Sequence, residues 1–290
     1  MADKRIGIVG IGLMGHGIAT NIQRNGRKIS LLDHPGNQDI GKLVEDGAQV
    51  FKSPKELAQE NEIIILCVTG SPEVEAVLTD EHGILSGLAS GTTIIDCSTA
   101  IPSSTIKMAR LVSDAGGSFL DAPMTRTPKE AAEGRLNLIV GGERALFDDM
   151  LPLFRCFAEN VVYAGKTGSG HSLKLLHNFV SLGHSAVLAE AAAAARKAEI
   201  DPATFVEVLN KGGGHGVVLD RMAPYILDGD LESFRFSLAN GAKDTGYYKE
   251  MSQDLALNGV LAEAVCRLYQ QQVDNGDGAK YVPEMIEQIN

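Results

Sequence analysis

Lys174 and Asn178 stand four residues apart in a segment without proline and with few β-branched residues. On a helix that spacing places both on one face. A lysine beside a carbonyl can pass it a proton, provided burial or a nearby cation lowers its pKa from about 10.4 toward neutrality. An asparagine next to it can fix the lysine rotamer or a ligand hydroxyl. Far upstream, Gly10-Ile-Gly12-Leu-Met-Gly15 follows a short apolar run and opens a helical stretch. In that setting Gly10 permits a tight turn, Gly12 lets backbone approach a pyrophosphate, and Gly15 lets helix and strand pack closely. The pyrophosphate would meet the free N–H groups and positive dipole of the helix N-terminus. Asp33, eighteen residues after Gly15, closes the second apolar run. A carboxylate there accepts hydrogen bonds from an adenine ribose and repels a 2′-phosphate, and His34-Pro-Gly-Asn37 offers no arginine to bind one. NAD is therefore favoured over NADP.

Other residues carry weaker signals. Ser98 and Thr99 follow the fourth apolar run, where ligands of open α/β sheets bind, although Ser and Thr also serve as plain turn and cap residues. His171, His177 and His184 recur at helical spacings; His171 could share a face with Lys174, with His177 and His184 on a neighbouring stripe. They read mainly as core or surface histidines. Cys67, Cys97, Cys156 and Cys266 lie far apart, with no CxxC pair and no histidine cluster at metal-ligand spacing. This argues for a reducing compartment and against a disulfide framework or a metal site. Nothing cationic is visible to activate Cys97. Gly212-Gly-Gly-His-Gly216 follows no strand and reads as a helix-connecting loop.

Two kinds of element must position these groups. Apolar runs at Arg5–Val9, Lys28–Leu32, Glu62–Val68, Thr92–Asp96, Ser118–Asp121 and Asn137–Val140 alternate with helical segments such as Pro54–Asn61, Glu73–Leu78 and Pro102–Ala115. That alternation predicts parallel βαβ units with helices on both faces. From about Gly170 the pattern becomes a single helix of roughly 28–30 residues, rich in Ala and Leu. Asp201-Pro202 starts the next helix, with Asp as N-cap and Pro in the first turn. Further helices are expected near 218–228, 243–256, 259–275 and 281–289, with no strong strand after about 164. The predicted layout is an α/β Rossmann-type doubly wound domain, residues 1–165, joined by a long helix to an all-α domain, residues 166–290. The second domain is expected to serve substrate binding and oligomerisation.

Length and charge narrow the partners. The chain has 290 residues, 26 Lys plus Arg against 37 Asp plus Glu, and a formal charge of −11. That balance disfavours nucleic acid and anionic membrane as partners. No secretory signal and no apolar stretch of about 18 residues is visible, so a cytoplasmic protein is expected.

Five segments, in order, resemble the β-hydroxyacid dehydrogenase family, which includes 3-hydroxyisobutyrate dehydrogenases and tartronate semialdehyde reductases. They are GIVGIGLMGHGIATNI (7–22), DCSTAIPSST (96–105), DAPMTRTPKEAAEGRLNLIVGG (121–142), GSGHSLKLLHN (168–178) and Lys243-Asp244. The resemblance implies Lys174 as catalytic acid/base, Asn178 as its positioning partner, and Ser98 on the substrate's acid group. It also places Lys243 near the cofactor. The residues expected to face the cofactor are Gly10, Gly12, Leu13, Met14, Gly15, Asp33, Val68, Thr99 and Lys243. One segment departs from the family pattern. Where most members carry Ser-Gly-Gly, this chain has Thr125-Arg126-Thr127. An arginine fork suits an oxyanion, and the Arg-Thr pair resembles the Gly-Arg-Thr of sulfolactaldehyde reductases. Thr125, Arg126 and Thr127 are thus expected to contact the substrate.

The activity implied is NAD-dependent interconversion of a small β-hydroxy acid, or a related anionic primary alcohol, with its semialdehyde, in a homodimer or homotetramer. A sulfonate-bearing aldehyde is the alternative substrate. A non-catalytic dinucleotide-binding scaffold is the alternative of another class, against which Lys174 and Asn178 together speak. Imine reductases share the architecture but replace the catalytic lysine. A decarboxylating 6-phosphogluconate enzyme would have a much longer C-terminal region.

Overall fold

The structure is a computed structural model and describes residues 4–289. The chain divides into two compact units, between Lys174 and Leu175. In the first, the elements run β1 (Ile6–Val9), α1 (Leu13–Arg24), β2 (Ile29–Leu32), α2 (Gly41–Glu45), β3 (Gln49–Phe51), α3 (Pro54–Glu60), β4 (Ile63–Leu66) and α4 (Ser71–Thr79). After a 3-10 turn they continue as β5 (Thr93–Asp96), α5 (Pro102–Asp114), β6 (Ser118–Asp121), β7 (Met124–Thr125), α6 (Pro128–Ala132), β8 (Leu136–Gly141), α7 (Arg144–Phe154), β9 (Ala158–Gly165) and α8 (Ser169–Lys197).

The sheet order is β3-β2-β1-β4-β5-β6-β8-β7, with β9 paired to β8. The first six strands are parallel. Their order reverses between β1 and β4, which creates a crevice outside the carboxyl ends of those strands. Register sharpens this. Val9 pairs with Leu66, Leu66 with Asp96, and Asp96 with Asp121, so the loops that follow all four strands leave the sheet at one level. The strands are apolar throughout because both faces are covered. Ile63, Ile65 and Ile95 belong to one core with α1 and α7, while Ile64, Leu66 and Ile94 belong to another with α3, α4 and α5.

The all-parallel expectation fails at β8, which runs antiparallel to β6 and β7. The β7–β8 connection holds only short α6, too little chain for a parallel crossover. β3, β7 and β9 are strands that the sequence reading does not contain.

The second unit holds the rest of α8, then α9 (Pro202–Asn210), α10 (Val217–Asp228), α11 (Leu238–Asp254) and α12 (Val260–Asp274), with 3-10 turns at Glu232–Phe234 and Val282–Glu287. α8 is 29 residues long, as its composition predicts. Asp201 caps α9, its carboxylate accepting from Thr204 N. α11 begins at Leu238, five residues before the expected start, because Ser237 caps it. Ala189, Ala192 and Ala193 of α8 lie in a core with Leu219, Met222, Tyr269 and Met285. α11 and α12 approach so closely at Gly241 that a Cβ there would stand 2.6 Å from the Tyr269 ring. Among the described residues no helix is long and apolar enough to cross a membrane.

Candidate dinucleotide and catalytic site

The three glycines after β1 differ in what they avoid. Gly10 has φ +91°, and a Cβ there would sit 2.3 Å from the Cys67 carbonyl oxygen. A Cβ on Gly15 would sit 1.9 Å from the Gly10 carbonyl oxygen. The protein's own packing therefore requires both. Gly12 is different. It is the N-cap of α1, no side chain caps that helix end, and nothing lies within 4 Å of an added Cβ. No neighbour in the protein demands a glycine there, so the open space suits a ligand that lies against bare backbone. Leu13 beside it is exposed and Met14 half-buried, while the first turn of α1 carries no acidic residue. Uncapped N–H groups, a positive dipole and this open space fit a pyrophosphate.

Asp33 follows β2 directly and is exposed. The turn after it does more than lack an arginine. Asn37 donates Nδ2 to the Leu32 carbonyl (2.9 Å) and accepts from Ile11 N (3.3 Å), while Gln38 N donates to the Ile11 carbonyl (2.7 Å). Asn37 thus staples the end of β2 to the glycine turn, a role a lone asparagine in a turn does not announce.

Ser98 is held at three atoms. Its N–H donates to Asp96 Oδ1 (2.9 Å), its hydroxyl accepts from Val68 N (3.0 Å), and its carbonyl faces His171 Nε2 (3.2 Å). The hydroxyl is buried, and its own proton is left to donate. Val68 and Thr99 are half-buried in the loops after β4 and β5. Cys67 and Cys97, beside them, are free thiols. Burial pushes the Cys67 thiol up to about 12 and raises Cys97 well above the ordinary range, so neither is an activated nucleophile.

The start of α8 is fixed from β6. Asp121, fully buried, accepts from Gly168 N (2.8 Å) and His171 N (3.0 Å). Burial pushes its carboxyl up, while His171 and the two amide donors pull it back. A Cβ on Gly170 would stand 2.5 Å from the Ile139 carbonyl oxygen and 2.7 Å from the Asp121 carbonyl oxygen, so this glycine exists for close approach of helix and sheet. Lys174 follows one turn later and is half-buried. In the second unit Asn178 is buried, donating Nδ2 to Asp244 Oδ2 (2.6 Å), with Oδ1 beside His177 Nδ1 (2.9 Å). Lys243 sits 3.2 Å from Asp244 Oδ1 and over the Tyr247 ring. Asp244, which the sequence reading leaves as a mere partner, is the residue that orients the Asn178 amide.

Thr125, Arg126 and Thr127, expected to contact substrate, all have partners within the protein. Thr125 Oγ1 accepts from Asn137 Nδ2 (3.1 Å). Thr127 donates its N–H and its hydroxyl to Glu130, which forms the capping box of α6 and holds the Glu130 carboxyl below its usual range. Arg126 has φ +84° and reaches back to Glu159 and to the Arg135 carbonyl. It stands in a conformation that glycine adopts freely, at the place where the family pattern has glycine. α6 also backs onto α1. A Cβ on Gly17 would meet Ala131 backbone at 2.5 Å, and Asn21 Nδ2 donates to the Gly17, Ala131 and Ala132 carbonyls.

Comparison with known proteins identifies the family. Residues 5–165 match the NAD binding domain of 6-phosphogluconate dehydrogenase. Residues 168–289 match the family described as NAD-binding of NADP-dependent 3-hydroxyisobutyrate dehydrogenase. The chain is 30% identical over 251 residues to a 2-(hydroxymethyl)glutarate dehydrogenase of Eubacterium barkeri, covering 86% of this chain and 83% of that protein. It is 29% identical to a 2-hydroxy-3-oxopropionate reductase of Escherichia coli, over 88% and 86% of the two chains. A crystal structure of 3-hydroxyisobutyrate dehydrogenase from Salmonella typhimurium superposes with a TM-score of 0.83 at 26% identity, covering 99% of this chain and all of that one. By the two family matches, which together span nearly the whole chain, and by its likeness to the Eubacterium barkeri dehydrogenase, this chain belongs to the β-hydroxyacid dehydrogenase family.

Proposed function

We propose that this chain is an NAD-dependent oxidoreductase that interconverts a small β-hydroxy acid, or a related anionic primary alcohol, with its semialdehyde. The observation that carries the reading is the contrast among the three glycines. Gly10 and Gly15 are demanded by the protein, whereas Gly12 faces open space at an uncapped helix end. The relatives' activities, a hydroxyacid dehydrogenase and a hydroxy-oxo acid reductase, support the same reaction class.

A nicotinamide cofactor, when bound, supplies or takes the hydride. Gly10, Gly12, Leu13, Met14 and Gly15 would hold its pyrophosphate, Asp33 its adenine ribose, and Val68, Thr99 and Lys243 its remaining length. Asp33 supports NAD over NADP, since a carboxylate at that position repels a 2′-phosphate. Lys174 Nζ gives a proton to the carbonyl oxygen in reduction and takes the hydroxyl proton in oxidation. Asn178, its amide oriented by Asp244, positions the reacting hydroxyl. The Ser98 hydroxyl donates to the substrate's acid group, and Thr125 and Thr127 line the loop beside it. Arg126, engaged with Glu159, supports a carboxylate-sized acid group more than an added arginine clamp for a sulfonate. The exposed apolar row Leu176, Val180 and Val187 on α8 supports a homo-oligomer.

The test is an NAD(H)-linked turnover screen of purified protein and an Arg126→Ala variant. Hydroxy acids and semialdehydes are set against sulfonate and phosphonate alcohols. The expected outcome is turnover with carboxylate substrates and the same substrate ranking in both proteins. Absence of turnover across the screen, with saturable NAD binding, would leave a scaffold protein instead.

A further inference from the structure

His171 has no part in the proton transfer above, yet it is a fully buried polar residue in a network that links three elements. Its Nδ1 lies 2.8 Å from Thr105 Oγ1 on α5, and its Nε2 lies 3.2 Å from the Ser98 carbonyl. Asp96 Oδ2 lies 3.9 Å from Nε2 and has no hydrogen bond of its own. Nε2 thus faces two acceptors, while Nδ1 meets the Thr105 hydroxyl, which also lies 3.1 Å from the Ile101 carbonyl. The same residue's backbone N–H is held by Asp121 from β6. One side chain and one amide therefore tie the first turn of α8 to the ends of β5 and β6.

Burying an imidazole in place of an apolar side chain costs free energy unless every polar atom is matched. Here the matched atoms belong to Thr105 of α5 and to Ser98, and His171 stands on α8 three residues before Lys174, on the same side. Ser98 is otherwise fixed at its N–H and its hydroxyl, so the bond to its carbonyl completes the clamp. A displacement of about 1 Å at a reacting group is enough to cost a hundredfold in rate.

We propose that His171 is a positioning residue for the reaction. It locks the Ser98 loop and the first turn of α8 in one register, so that the acid-binding hydroxyl and the Lys174 amine are presented together. This rests on the dehydrogenase reading with Lys174 as acid/base.

The experiment compares His171→Gln, Thr105→Val and Lys174→Ala with wild type. Probes are NAD-linked oxidation of 3-hydroxyisobutyrate and NADH-linked reduction of 2-hydroxy-3-oxopropionate, with NADH affinity measured separately by fluorescence. Thr105→Val leaves Nδ1 without its hydroxyl partner and nearly preserves shape, so it reports even if His171→Gln does not fold. The expected result for His171→Gln is a kcat lower by about ten- to a hundredfold, with NADH affinity within twofold and the pH profile of kcat displaced. Thr105→Val should fall in the same direction, and the double variant should be no worse than His171→Gln alone, because the two act as one unit. If kcat and its pH profile in His171→Gln and Thr105→Val stay at wild-type values while only thermal stability drops, the residue is structural and the proposal fails. If Lys174→Ala keeps its turnover, the dehydrogenase reading itself fails, and that outcome is separate.

Discussion

A carboxylate at the end of β2 and a phosphate on the ribose 2′-oxygen repel one another, and Asp33 is exposed where the two would meet. If Asp33 sets the cofactor choice, Asp33→Asn should lower the ratio of kcat/KM for NAD over NADP by at least about tenfold, which is about 1.4 kcal/mol. Steady-state kinetics with both cofactors gives that ratio, and an unchanged ratio would remove Asp33 from the account. At this scale the sequence was readable where a residue announces itself by its neighbours. Gly10, Gly12 and Gly15 follow a strand, and Lys174 and Asn178 share a helix. Asn37, Asp121, His171 and Asp244 were not readable as site residues. Each is a single polar residue whose partner lies tens of residues away, brought together by the sheet and its loops for Asn37, Asp121 and His171 and by helix packing for Asp244.

Elements that stand on their own pattern emerged from the sequence with nearly the right bounds. α8 did so because its 29 residues contain no proline, and α9 because Asp201-Pro202 is a start signal with a mechanism. β3 and β9 did not, being short or half-exposed edge segments without a clear apolar run. The antiparallel turn at β8 was hidden for a different reason: direction depends on the length of the connection, not on strand composition. The loop before α6 offers a test at this scale. Arg126 at φ +84° carries a backbone cost of about 1–2 kcal/mol for a residue with a Cβ, while its solvent-screened pair with Glu159 returns little. Arg126→Gly should therefore leave stability within about 1 kcal/mol of wild type, whereas Arg126→Val should lose more, because a β-branched residue fits that conformation worst. Chemical denaturation of the two variants measures the difference. Equal stability would mean that the loop does not hold Arg126 in this conformation.

For the molecule as a whole, the charge of −11 sits beside a proposed set of anionic ligands. Net charge disfavours polyanion partners but does not describe the proposed dinucleotide site, where the uncapped N-terminus of α1 supplies local positive character. Assembly is the second question at this scale. Leu176, Val180 and Val187 repeat along one side of α8 and are exposed in the isolated chain. Larger apolar patches of this kind mark contact surfaces. Light scattering after size exclusion should find a dimer or tetramer, and Val180→Glu should shift it toward monomer. A wild-type monomer at micromolar concentration would contradict this.

The most direct measurement concerns Lys174. In Lys174→Ala the fold and the cofactor cradle after β1 remain, while the proposed proton donor is gone. NADH affinity should stay within a few-fold of wild type, and turnover of the preferred hydroxy acid should fall by about 10²–10⁴. Near-wild-type turnover in that variant would contradict the account.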